Sequence, residues 1–85
     1  MQLQPDDIKD GTWVLVIYDH KPYLGKVVTK SSALQVQVRC LENAYGDHKP
    51  QMLEPESQAI YYEEIYEAPC IPKNIKVGRK YMWKY

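Results

Sequence analysis

With 85 residues, 45% of them hydrophobic and 26% charged, the chain has the length of one small domain and the composition of a folded one. A chain this short buries only about 60 to 65% of the surface its unfolded form exposes, which leaves a thin core and excludes a deep, shielded active site. Eleven acids balance eleven bases, but residues 1–70 hold every acid and six of the bases, while from Ile71 onward stand Lys73, Lys76, Arg79, Lys80 and Lys84.

The body is therefore acidic and the tail basic. An acidic body suits cationic ligands and repels phosphate backbones, whereas the tail favours the reverse. No apolar run approaches the roughly 20 residues of a membrane span, so a soluble domain without membrane contact is expected. Residues 1–10 carry Asp6, Asp7 and Asp10 in place of the apolar stretch of a signal peptide, which argues for an intracellular protein. In that setting Cys40 and Cys70 read as reduced thiols rather than a disulfide.

In chain order, residues 1–10 form a lead-in. Thr12 to Tyr18 is rich in β-branched and aromatic residues between Gly11 and a polar turn at Asp19 to Pro22, and reads as the first strand. On it Trp13, Leu15 and Ile17 share one face and Val14, Val16 and Tyr18 the other. Tyr23 to Lys30 is a second strand paired to it as a hairpin, with Gly25 marking a bulge or a close approach of another backbone. Leu34 to Cys40 alternates with period 2, which places Leu34, Val36, Val38 and Cys40 towards the core. Residues 42–56, with Gly46, Pro50 and Pro55, read as a loop. A fourth strand is expected at Gln58 to Tyr62, one helical turn at Glu63 to Ile65, and a short last strand at Tyr66 to Ala68 before Pro69 and Pro72 end regular pairing. Residues 69–85 form a basic aromatic tail, in which Arg79 to Tyr85 is either an added edge strand or unstructured. Four or five short strands with one helical turn predict an all-β, SH3-like partly open barrel over residues 11–68.

Tyr18 and Tyr23 flank the first turn, and Tyr45, Gly46 and Asp47 follow the third strand. Three rings at one barrel mouth would attract a cation whose methyl groups leave it little hydrogen-bonding capacity, each ring by roughly 0.5 to 2 kcal/mol, with Asp47 as counter-charge. Ordinary half-buried strand tyrosines are the competing reading, since the chain has eight Tyr and no Phe. Trp13 reads as packing, with a supporting wall of the pocket as its alternative.

The segments Gly11 to Tyr18, Tyr23 to Val27 and Glu63 to Ile65 resemble the strand, turn, strand and closing turn of Tudor-like modules, chromatin-reader members of the SH3-like barrels. The resemblance covers residues 10–68, and Tyr18, Tyr23, Tyr45, Gly46 and Asp47 stand at its cage positions. It implies a nuclear protein that recognises methylated lysine or arginine, on a histone or another basic tail, through an aromatic cage. The family commonly has a further aromatic where this chain has Cys40 and Leu41, so the implied cage is incomplete. A weaker resemblance is to the barrels at the ends of transposon-derived and retroviral integrase-like proteins.

Enzymatic chemistry finds little support. His20, Cys40, His48 and Cys70 lack the spacing of a zinc site, no glycine-rich phosphate loop is present, and the adjacent Glu63 and Glu64 diverge too far to work as an acid and base pair. No catalytic residue, metal or cofactor is expected. In the tail, Lys73, Lys76, Arg79, Lys80 and Lys84 interleave with Tyr81, Trp83 and Tyr85, the composition of a surface that tracks a nucleic-acid strand. Folding back onto the barrel is the other reading of that tail. A non-enzymatic module that binds a peptide or protein is thus expected, with nucleic-acid binding or a structural, oligomerising role in a larger protein as alternatives.

Overall fold

A two-residue turn sets the register of the first hairpin. In the computed structural model, which describes residues 3–85, Asp19 and His20 take φ angles of 52° and 63°. Two successive left-handed residues are what a type I′ hairpin turn requires. Strand β1 (Trp13–Tyr18) therefore pairs antiparallel with β2 (Lys21–Lys30) from Tyr18 opposite Lys21 down to Trp13 opposite Lys26. The turn is two residues shorter than the sequence pattern predicts, because Lys21 and Pro22 already belong to β2.

Gly25 lies on β2 directly opposite Cys40 of the next strand, β3 (Gln35–Cys40). A Cβ at this position would collide with Val38 Cγ1, and would stand 3.2 Å from Cys40 Sγ and 3.3 Å from the Arg39 carbonyl oxygen. The close approach is at Gly25, but the bulge is not: the ladder shifts between Val27 and Thr29, which leaves Val28 turned to solvent. Val36 and Val38 are buried and Cys40 packs against the core, whereas Leu34 is 65% exposed. The expected core role of Leu34 is corrected by Ser32, whose Oγ accepts hydrogen bonds from the Leu34 and Gln35 amides at 3.1 Å each. That bend ends before the ladder begins, so Leu34 never enters the alternating pattern.

Strand β4 (Gln58–Tyr61) pairs with β3, a 3-10 turn spans Tyr62–Glu64, and β5 (Ile65–Glu67) returns to pair with β1. Turn and strand both begin one residue earlier than predicted. The shift decides which side chains face inward, since successive strand residues alternate, and it puts Ile65 in the core, fully buried. The sheet order β4-β3-β2-β1-β5, antiparallel throughout, curls into an SH3-like half-barrel. Its core is Ile8, Val14, Val16, Val27, Val36, Val38, Ile60 and Ile65. Ile8 comes from the lead-in, whose first two residues lie outside the described ones, and a 3-10 turn at Pro5–Asp7 aims it into the barrel.

The tail is a second, two-stranded sheet. Strands β6 (Lys73–Val77) and β7 (Lys80–Lys84) pair with each other around Gly78 and Arg79, so β7 is not an edge strand of the barrel sheet. The hairpin docks through Trp83. Its ring meets the edge of Trp13 at 4.9 Å between centroids and 66° between planes, and Lys26 Nζ lies 5.1 Å from the same ring. Trp83 and Gln51 also exchange both backbone hydrogen bonds, at 2.8 and 2.9 Å. Leu24 shares the Trp13 face of the sheet, through its register with Leu15, and is 1% exposed.

Two substitutions test this architecture. Gly25→Ala is expected to destabilise the protein by about 1 to 3 kcal/mol in urea denaturation, because the added methyl overpacks a fixed interior. Trp83→Ala should remove about 2 to 3 kcal/mol. In NMR spectra it should move the amide resonances of residues 42–56 while those of β3 in the core stay in place.

Candidate cation-binding site

The alternation of β1 and β2 puts two of the singled-out tyrosines on one side of the sheet. Tyr23 is opposite Val16, whose side chain is in the core, and Tyr18 is two residues further along that same face. Tyr18 is 47% exposed and Tyr23 half-buried. Together they flank an open depression of about 150 Å3, with Cys40 also in its lining. That is about ten times the roughly 10 to 15 Å3 that one water needs on the same measure, room for a branched cationic head group.

Beside Leu41, Gln58 and Ile60, and with no basic residue among them, the lining is completed by three acidic residues, Glu42, Glu54 and Glu56. They come from the two ends of the loop that leaves β3 and enters β4. The loop is pinned there by backbone bonds from Glu54 N–H to the Cys40 oxygen at 2.8 Å and from Glu42 N–H to the Met52 oxygen at 3.2 Å. Arg39 Nε donates to the Glu54 carbonyl oxygen at 2.8 Å, which holds that backbone from the other side. Glu42 is partly engaged already, since its Oε1 accepts from the Met52 amide at 2.9 Å. A depression lined by two tyrosines and three glutamates, with no base among them, is an attractive place for a cation.

Tyr45 and Asp47 are not brought to this depression. The Tyr45 amide donates to the Pro22 oxygen at 2.8 Å, which keeps the loop beside the first hairpin, but its ring stacks on Tyr85 at 5.2 Å and 13°. Tyr85 is held further by its hydroxyl, which accepts from the Gly46 amide at 2.8 Å, and by His48, whose ring meets it edge-on at 5.3 Å. The Tyr45 phenol is raised above its ordinary pKa, by partial desolvation first and then by the Cys70 thiol and Tyr85 beside it. Asp47 works inside the loop: Oδ2 accepts from Asn43 Nδ2 and Oδ1 from the Lys49 amide, both at 3.0 Å. Trp13 faces away from the depression and is packed on Trp83, so it forms no wall of it.

No family model, curated protein or solved structure matches this chain.

Cys40 occupies the place where the resemblance would put a further ring. Burial, and secondarily the Glu54 carboxylate, push its thiol up to about 11 from an ordinary 9.0. It is a neutral, compact part of the lining, and both Cys40 and Cys70 are free. Among the described residues no group of three or more His, Cys, Asp and Glu side chains is arranged to hold a metal ion. Glu42, Glu54 and Glu56 are the site residues that sequence reasoning missed. The available signal was their position, since acids bracket both ends of a loop whose ends must meet beside β3.

The Cys40 shift has a sign that can be checked. Below pH 9 the thiol is protonated in both the folded and the unfolded chain and contributes no pH dependence. Between about pH 9 and 11 the unfolded chain loses this proton and the folded one retains it. Stability is therefore expected to fall there by up to about 1.4 kcal/mol per pH unit from this group. Equilibrium denaturation at a series of alkaline pH values should show that slope, reduced by this amount in Cys40→Ala.

Proposed function

We propose that this protein is a binding module of Tudor-like type that takes up a cationic side chain of a peptide or protein partner, a methylated lysine or arginine, between Tyr18 and Tyr23. One observation carries the reading: two tyrosines and three glutamates line one depression at the open end of an SH3-like half-barrel, with no basic group among them. A methylated cation is attracted to the ring faces by roughly 0.5 to 2 kcal/mol each and loses little hydrogen bonding on leaving water. Tyrosine suits the task because its ring contacts the ligand while its hydroxyl stays wet. Under this reading the site is two rings and an acidic rim rather than three rings and Asp47. A nuclear setting, and a histone or other basic tail as partner, go with this proposal. The chemistry in the depression, with a neutral thiol and no nucleophile paired to a base, favours binding over catalysis.

The nucleic-acid reading of the tail has thinner support. Tyr81 is 62% exposed with Lys76 Nζ 5.9 Å from its ring, but Trp83 is packed on Trp13 and Tyr85 is stacked on Tyr45. Base stacking needs free ring faces.

Titration of the isotope-labelled chain with basic peptides carrying trimethyllysine, dimethylarginine or unmodified lysine tests the main reading. Resonances of Tyr18, Tyr23, Cys40 and Glu56 should shift with a methylated peptide. Tyr18→Ala should weaken binding by roughly 3- to 30-fold, the equivalent of one ring face. Shifts that are absent, or confined to β6 and β7, would sink the proposal.

A further inference from the structure

The docking of Trp83 leaves the opposite face of the β6–β7 sheet open. Asn74 with Trp83 and Lys76 with Tyr81 share the Trp83 face, whereas Lys73 with Lys84, Ile75 with Met82 and Val77 with Lys80 share the other. At one end of that other face lies a recess of about 370 Å3 lined by Cys70, Ile71, Lys73, Ile75, Lys84 and Tyr85. It has no lining residue in common with the tyrosine depression.

Three features of this surface point to one kind of occupant. Lys73 and Lys84 are directly opposite each other, and like charges in such a pair repel, so an anion between them relieves a strain built into the hairpin. No acid occurs from Ile71 onward to supply it. Aliphatic groups stand beside the lysines: Ile71 is 73% exposed, and Ile75 and Met82 are half-buried. Finally, among the described residues β6 is laddered only to β7, so its other edge is free. A free strand edge is a template on which an extended peptide adds a strand, with main-chain hydrogen bonds giving affinity and alternate side chains giving specificity.

We propose that β6 is the docking edge for an extended acidic peptide segment, added as a third strand, whose side chains on the recess face run acid, aliphatic, acid at every second position. The first carboxylate meets Lys73 and Lys84, the aliphatic group lies along Ile75, and the second carboxylate lies by Val77 within reach of Lys80 and Arg79. A nucleic-acid strand is disfavoured because Trp83 and Tyr85, two of the three rings from Ile71 onward, are already packed, which leaves only Tyr81 exposed for stacking. A membrane surface is disfavoured because Ile75 and Met82 are half-buried rather than projecting past the charges.

The probe is a capped peptide of glutamate, threonine, valine, threonine and glutamate, titrated into the isotope-labelled full chain. Shifts and slowed amide exchange are expected over Lys73–Val77. Lys73→Glu is expected to weaken binding roughly tenfold, since a like charge replaces an opposite one. A peptide with lysine in place of glutamate should bind Lys73→Glu, Lys84→Glu better than the unaltered chain. Unchanged tryptophan fluorescence will show that the hairpin of each variant is still docked, and Lys84→Gln, a milder change, replaces any variant that fails this check. The Tyr18→Ala chain should bind the acidic peptide normally, which separates this surface from the tyrosine site. The proposal is overturned if the peptide shifts nothing in β6, if the charge swap has no effect, or if an oligonucleotide or anionic vesicles bind the hairpin and the peptide does not.

Discussion

The contact between Gln51 and Trp83 joins the long loop after β3 to the C-terminal hairpin through a two-way backbone bridge. Gln51 lies in the segment 41–57 between β3 and β4, which holds only isolated bridges, and it is 2% exposed, an expensive position for a polar side chain unless every group is bonded. Its Oε1 accepts from the Asn43 amide at 3.0 Å and its Nε2 donates to the Asp47 oxygen at 2.9 Å, while its backbone pairs with Trp83 in both directions. One residue thus closes the loop upon itself and fastens the tail to it. Glu42, Glu54 and Glu56 lie at the ends of that same loop, where bonds to Cys40, Met52 and Arg39 fix the backbone beside the depression.

How much of this was legible in the sequence follows from which contacts are local. Val14 and Val16, or Val36 and Val38, announce their inward face by alternation, and the hairpin turn and closing 3-10 turn are punctuated by residues within a few positions of them. The half-barrel, Tyr18 and Tyr23 could therefore be read directly. Tyr45 could not, because the ring that claims it is Tyr85, and no periodicity connects an irregular loop to a tail. Strand β6 was hidden for a related reason. Lys73, Asn74, Ile75, Lys76 and Val77 alternate only weakly, and the strand they pair with is held through Trp83 by Trp13, a residue far away in the sequence. Leu34 shows the opposite error, in which a sound alternating pattern was extended one residue past the bend that ends it.

The uneven charge of the chain takes on a spatial meaning once folded. The acids at the barrel mouth and the bases of the hairpin form separate surfaces rather than neutralising each other, with the Trp13 and Trp83 pair between the two sheets. A molecule of zero formal net charge can then present two faces of opposite preference, which is a property of arrangement and invisible in the total.

Gly25 bears on the depression in a way its position in mid-strand conceals. It shares the inner face with Tyr23 and Cys40, and the space a side chain would fill there is taken up by Val38 and Cys40. Any larger residue would have to displace Val38 first, and would crowd Cys40, which lines the depression. The seat of one lining residue is in that sense inherited: Cys40 and Val38 pack as closely as they do because the position facing them carries nothing but a hydrogen.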